Sequence, residues 1–166
     1  MAAGTLVSLE EYLHTIYHPD CDYVDGEVQE RNLGEKDHSR AQGRIYRYLC
    51  AQYPRFADNV FAELRIRIRA KRYRIPDVCI LGDDAPDEQV PTHPPVLCIE
   101  VLSPEDRMSR YLERVNDYFE MGVPACWIVD PAARRGWVAT PGHLDEATDG
   151  LLRSGEFEMP LAAVFE

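Results

Sequence analysis

The sequence has no surplus of positive charge, no paired cysteines and no long apolar run, and each absence removes a class of protein. Lys and Arg number 18 against 29 Asp and Glu, a formal charge of −11 over 166 residues. A protein that coats nucleic acid needs cations to release counterions from phosphates, so the balance argues against that class. It does not argue against a nucleic-acid enzyme, whose metal-binding carboxylates add acid of their own. The five cysteines, Cys21, Cys50, Cys79, Cys98 and Cys126, include no Cys-x-x-Cys pair, and four lie in or beside apolar segments such as VCIL at 78–81. An odd, scattered set reads as reduced thiols packed as small core residues, not as a disulfide framework or a zinc site. The opening residues MAAGTLVSLEEYL lack the basic start and the continuous stretch of ~7–15 apolar residues of a signal peptide. No segment approaches the ~18 apolar residues of a membrane span. The expectation is a soluble, cytoplasmic protein with no membrane partner.

What is present is a globular composition, 45% apolar and 28% charged. The length fits the prior of roughly 100–200 residues per domain, so residues 1–166 are expected to form one domain that buries its core without staples. Ser8-Leu9-Glu10-Glu11 is a capping box that opens a short helix reaching about Ile16. Asp25-Gly26 between two β-prone pieces marks a tight hairpin, because both turn residues must tolerate φ > 0. From Lys36 to Tyr53, Ala41, Ile45, Tyr48, Leu49 and Tyr53 recur at helical spacing, and Pro54 follows as a terminator.

Residues 60–69 alternate as one strand, with Val60, Ala62, Leu64, Ile66 and Ile68 on one face and Phe61, Glu63, Arg65, Arg67 and Arg69 on the other. A second strand is expected over 74–81, a polar loop over 82–95, and a central, doubly covered strand over 96–102. Residues 106–121 read as a helix whose apolar stripe is Met108, Leu112, Val115 and Phe119, stopped by Gly122. Two strands follow at 125–129 and 136–140, and the tail adds one strand and a terminal turn. The fold class is α/β (α+β): a mixed central sheet flanked by helices.

Three acids stand where a core strand would not place them: Glu63, Asp77 after Pro76, and Glu100 inside the apolar run 97–102. A buried carboxylate costs several kcal/mol unless it is paired or bound to metal. One reading is a site for a hard divalent cation, since Mg²⁺ takes one or two carboxylates plus waters and phosphates. The other is a set of structural ion pairs with the arginines of 65–74. Six basic residues fall in that interval (Arg65, Arg67, Arg69, Lys71, Arg72 and Arg74), a local basic stripe of the kind a phosphate track would need. The excess acid lies elsewhere, in the first 37 residues, at 83–88 and after 144, so weak, salt-sensitive binding to nucleic acid is expected outside the cleft.

The order of blocks carries a resemblance. Tyr23-Val24-Asp25-Gly26-Glu27, His38 at a helix start, Glu63-Leu64-Arg65, Arg74-Ile75-Pro76-Asp77-Val78, Ile99-Glu100-Val101-Leu102-Ser103-Pro104, Gly122-Val123 and Trp127-Ile128-Val129-Asp130-Pro131 together resemble the Uma-type restriction endonuclease family of the PD-(D/E)XK nuclease superfamily. The resemblance implies a restriction-endonuclease-like fold and hydrolysis of DNA phosphodiester bonds with Mg²⁺ or Mn²⁺, and a homodimer is the expected assembly. It assigns metal binding to Asp77, Glu100 and the Val101 carbonyl, and further catalytic positions to Glu63, His38 and Arg114. It leaves Arg65, Arg67, Arg69, Arg107 and Arg110 to contact nucleic acid. The superfamily lysine belongs two residues after the glutamate, where this chain has Leu102. In the family a helix-borne lysine four residues before a tyrosine takes its place, and here that position is Arg114, before Tyr118. Arg107, Arg110, Tyr111, Arg114 and Tyr118 share a helix face, expected opposite the apolar stripe and overhanging the site. An arginine can neutralise charge but cannot act as a base. The alternative function is therefore a catalytically degenerate nuclease fold that binds nucleic acid or serves assembly.

Overall fold

The computed structural model of the chain describes residues 6–31 and 34–166. Its elements begin as the sequence pattern predicts. Ser8 Oγ accepts the Glu11 N–H at 3.1 Å and opens α1 (Leu9–His14). Asp25 and Gly26, at φ +51° and +100°, turn β1 (Cys21–Val24) into β2 (Glu27–Glu30). Helix α2 (Lys36–Gln52) ends ahead of Pro54, which starts a 3₁₀ segment (Pro54–Asn59).

The expected strand over 60–69 is broken in two. β3 (Val60–Ala62) and β4 (Ile66–Arg69) belong to different sheets, and between them Glu63 takes φ +55° and ends the alternation. The strand expected over 74–81 breaks at the same level, into β5 (Arg72–Arg74) and β6 (Val78–Ile80). The two halves form one long antiparallel hairpin, paired Ile66↔Arg74 in its tip and Ala62↔Val78 in its base. The hairpin changes sheet at the joint formed by 63–65 and 75–77, where the Glu63 N–H still donates to the Asp77 carbonyl at 3.1 Å. A run of alternating residues cannot reveal such a joint, because apolar periodicity records burial and not which sheet provides it.

The remaining elements are β7 (Leu97–Val101), α3 (Met108–Met121), β8 (Cys126–Asp130), β9 (Arg135–Thr140), β10 (His143–Glu146), β11 (Leu151–Ser154), β12 (Phe157–Pro160) and α4 (Ala162–Phe165). The tail thus holds three strands and a helical turn, more than its mixed sequence suggests. The small sheet runs β2-β1-β5-β4 and the large sheet β10-β9-β8-β7-β6-β3, with β11 and β12 as a separate hairpin. The β7–β8 pair is parallel and the other pairs of the large sheet are antiparallel, so the sheet is mixed.

Helices cover both faces of the large sheet. On one, Ala41, Ile45 and Leu49 of α2 pack on Val78, Ile80, Ile99, Val101 and Trp127. On the other, Val115 and Tyr118 of α3 pack on Cys79, Cys98, Cys126 and Ile128, with Ile66 and Ile68 of the small sheet closing the layer. Helix α3 is therefore wedged between the two sheets, which explains a second departure. Its buried residues are Tyr111, Arg114, Val115, Asp117 and Tyr118, whereas Met108, Leu112 and Phe119 are only half-buried. Of the face expected to overhang the site, Tyr111, Arg114 and Tyr118 point into the protein, while Arg107 and Arg110 are exposed. Among the described residues, no helix is long and apolar enough to cross a membrane.

Gly122 ends α3 at φ +109°, its N–H donating to the Tyr118 and Phe119 carbonyls, and a Cβ there would lie 3.3 Å from Pro94. Gly122→Ala is expected to cost roughly 1–2 kcal/mol, the left-handed penalty for a residue with a Cβ, read as a lowered midpoint of urea unfolding.

Candidate active site

Asp77 and Glu100 meet because of strand register. Val78 pairs with Ile99 across β6 and β7, and one further step sets Asp77 opposite Glu100. Both are inaccessible, at 2% and 0% exposure. The link is direct: the Val101 N–H donates to Asp77 Oδ2 at 2.7 Å. The Asp77 carbonyl accepts from Gln42 Nε2 at 3.0 Å, which ties the joint of the hairpin to α2.

Cations enclose the two carboxylates. Arg31, just beyond β2, donates from Nη2 to Asp77 Oδ1. His38 Nε2, in the first turn of α2, lies 3.4 Å from Asp77 Oδ2. On the other side, Tyr118 donates its hydroxyl to Glu100 Oε1, and Arg114 Nη2 lies 3.4 Å from the same oxygen while donating to the Ile75 carbonyl at 2.9 Å. The two acids respond differently. Burial raises the Asp77 carboxyl, but the His38 hydrogen bond and the charges of Arg31, His38 and Arg114 outweigh it and hold the group at about 2. Burial wins at Glu100 and, aided by the Asp77 charge, pushes it up to about 7 against the pull of Arg114 and Arg31. His38 is also raised: burial opposes its charge, and contact with Asp77 more than restores it.

From Glu100 an alternating chain of charges runs to the surface. Arg114 Nε lies 3.6 Å from Asp22 Oδ2, which accepts from Arg74 Nη1 at 3.0 Å. Asp117 accepts from Arg74 Nε at 2.7 Å and from Arg72 Nη1 at 2.6 Å. Arg72 and Arg69 both reach Asp25, and Arg69 ends on Glu120 at 3.2 Å. Of the arginines of 65–74, Arg69, Arg72 and Arg74 form ion pairs, and among the described residues their partners are Asp22, Asp25, Glu113, Asp117 and Glu120 and not the site acids.

The structure brings Asp77, Glu100, His38 and Arg114 together. Glu63 stands at the rim, 48% exposed in its side chain and 3.9 Å from Arg31 Nη1. The Val101 carbonyl accepts the Tyr111 hydroxyl at 3.0 Å. Leu102, at the lysine position, packs against the core beneath α3. Of the basic residues expected to touch nucleic acid, Arg65 lies over the Tyr12 ring at 5.3 Å, Arg69 is held by Asp25 and Glu120, and Arg110 donates to the Glu30 carbonyl at 2.7 Å. Arg67 is half-buried and Arg107 is exposed at the start of α3.

Sequence reasoning missed Arg31, Asp22, Gln42 and Asp117. Gln42 follows His38 by one helical turn, and Asp117 lies one turn past Glu113 on a face with Arg114, so spacing carried a weak signal for both. Asp22 sits in a strand buried at every position, the same anomaly that marks Glu100. Arg31 had no signal, because it lies in a polar segment with no periodicity.

The donor set fits a hard cation. Two carboxylates converge, and Glu100 Oε2 is buried with no hydrogen-bond partner among the described residues, leaving a lone pair for a ligand. Among the described residues no group of three or more His, Cys, Asp or Glu gathers as a cage, so a cation here would be completed by water and substrate oxygens, as Mg²⁺ commonly is.

Two outcomes follow from this electrostatic arrangement. Asp22→Ala leaves Arg74 and Arg114 without a shared counter-ion, and breaking buried pairs of this kind costs about 3–5 kcal/mol, measurable by denaturant unfolding. Glu100 titrates near 7 when folded and near 4.5 when unfolded. Between those values the folded state binds more protons, so unfolding free energy falls as pH rises through that window. The fall is expected to flatten in Glu100→Gln, compared with wild type by unfolding at pH 5 and pH 7.5.

Comparisons with known proteins agree with this fold. A solved structure from Anabaena variabilis, described as a putative nuclease belonging to DUF820, superposes with a TM-score of 0.79 at 18% identity, covering 96% of this chain and 97% of its own. At that identity the likeness speaks for the fold: a mixed sheet flanked by helices, of restriction-endonuclease-like type. No curated protein matches the chain significantly. The family Uma2, described as "Putative restriction endonuclease", matches over residues 9–160. That span is nearly the whole chain, and the protein belongs to the Uma2 family.

Proposed function

We propose that the protein is an endonuclease that hydrolyses phosphodiester bonds of DNA with Mg²⁺ or Mn²⁺ at Asp77 and Glu100. The observation that carries this reading is the meeting of two fully buried carboxylates, Asp77 just ahead of β6 and Glu100 in the neighbouring β7, one of them with an oxygen that no donor among the described residues satisfies. Family membership supports a nucleic-acid substrate. A divalent cation bound there would activate water and neutralise charge on the phosphate.

The protein's own side chains supply the rest. Arg114 is fixed by Asp22, Glu100 and the Ile75 carbonyl, so it serves as a permanent counter-charge to Glu100 and not as a base. His38, whose pKa contact with Asp77 raises against the effect of burial, is a proton donor suited to a departing oxygen. Gln42 and the Val101 N–H hold Asp77 in place.

One observation favours a second reading, a nuclease fold that has lost catalysis: Leu102 fills the position where a lysine would orient water. Supercoiled plasmid separates the two. With Mn²⁺, wild type is expected to nick it, and Glu100→Ala and Asp77→Ala are expected to lose at least about 100-fold in rate, the scale for removing a metal-site group. Absence of nicking by wild type that still binds Mn²⁺ would favour the degenerate fold. Cation binding at pH 7 is also expected to release part of a proton from Glu100, seen as a buffer-dependent enthalpy in calorimetry.

A further inference from the structure

We infer that Arg31 is an internal cation that holds the metal position of Asp77 closed and must leave it before a divalent cation can bind. The inference rests on the metal reading of Asp77 and Glu100 and adds a residue to which no role has been assigned. Charge balance supports it first. Asp77 is already satisfied by the Arg31 guanidinium, by His38 and by the Val101 N–H. A divalent cation added beside those groups would leave the pocket with excess positive charge at short range, in a medium where charges interact strongly. One cation has to give way.

The geometry says which. Arg114 is anchored by Asp22, Glu100 and the Ile75 carbonyl, three partners from three strands or their flanks. Its removal would break the chain of ion pairs that runs through α3. Arg31 is far less held. Among the described residues it pairs with Asp77 alone at hydrogen-bond distance, and Glu63 stands off at 3.9 Å.

Arg31 also lies where movement is possible. It lines two cavities, one of about 510 Å³ bounded by Glu30, Glu35, Ser103 and Arg110, the other of about 330 Å³ bounded by His38, Gln42 and Glu63. Arg31 and Pro19 are common to both linings, and Arg31 reaches the buried acid from there. Glu63 at the rim offers a second, solvent-exposed partner, so the guanidinium has two positions: on Asp77 when no divalent cation is bound, and at the cleft mouth beside Glu63 when one is. At the mouth its fork of donors faces the space through which a phosphate would approach.

The test is Mn²⁺ binding by calorimetry to wild type, Arg31→Gln, Arg31→Lys and Asp77→Asn, with circular dichroism as the folding control. A competitor on the site lowers apparent affinity by the fraction of open protein, so Arg31→Gln is expected to bind Mn²⁺ at least about tenfold more tightly than wild type. Arg31→Lys, which keeps the charge, stays close to wild type, and Asp77→Asn loses binding. In wild type, the Arg31 Nε–Hε resonance, assigned by its loss in Arg31→Lys, is expected to shift on titration with Mg²⁺; this readout does not depend on the Gln variant folding. Equal Mn²⁺ affinity in wild type and Arg31→Gln, or an unmoved Arg31 resonance at saturating Mg²⁺, overturns the role of Arg31 and leaves the metal reading standing. No Mn²⁺ binding by any of the four proteins overturns both.

Discussion

Glu100 is the last but one residue of the central strand β7 and has no access to solvent, and a charge there is costly unless partners surround it. Much of the architecture follows from that constraint. Tyr118 and Arg114 have to face inward from α3 to meet it, so the helix buries a polar face and must find partners for it. Asp22 supplies one, which brings β1 of the small sheet against α3. Arg74 and Asp117 extend the same solution outward, until Asp25, Arg69 and Glu120 finish it in water. The large sheet, α3 and the small sheet are joined by this sequence of charges as well as by apolar packing.

The same arrangement revises the meaning of the net charge. The basic stripe at 65–74 looks like a phosphate track in the sequence, yet Arg69, Arg72 and Arg74 are engaged by acids. Pairs at the exposed end contribute little and weaken with salt; those around Asp22 and Arg74 are shielded from both effects. Cations free to meet a polyanion are therefore fewer than the stripe implies. The inner part of the cleft depends on Arg31, Arg114 and His38, all of which already face a carboxylate.

The sequence was informative wherever a residue contradicted its surroundings. An acid in an apolar run marks Glu100, a proline followed by an acid marks Asp77, and a positive-φ pair marks the turn at Asp25-Gly26. Helix α2 and its stop at Pro54 follow from periodicity alone. Three things could not be read that way. The change of sheet at Glu63 leaves alternation on both sides intact, so the pattern looks like one strand. The inward face of α3 is hidden because Arg114 and Asp117 are polar and yet buried; what permits their burial is a set of partners more than 40 residues away in the chain, Asp22, Arg72 and Arg74. Arg31 reaches Asp77 across 46 residues of sequence and has no local feature to set it apart.

The joint of the bent hairpin makes chain length part of the site. Side chains alternate across a strand, so a shift of one residue reverses the face of all that follow. Between Arg74, paired in the small sheet, and Val78, paired in the large one, lie only Ile75, Pro76 and Asp77. A residue added or removed there would displace Asp77 from its place opposite Glu100 or Val78 from its pairing with Ile99. The connection is thus constrained in length as well as in identity.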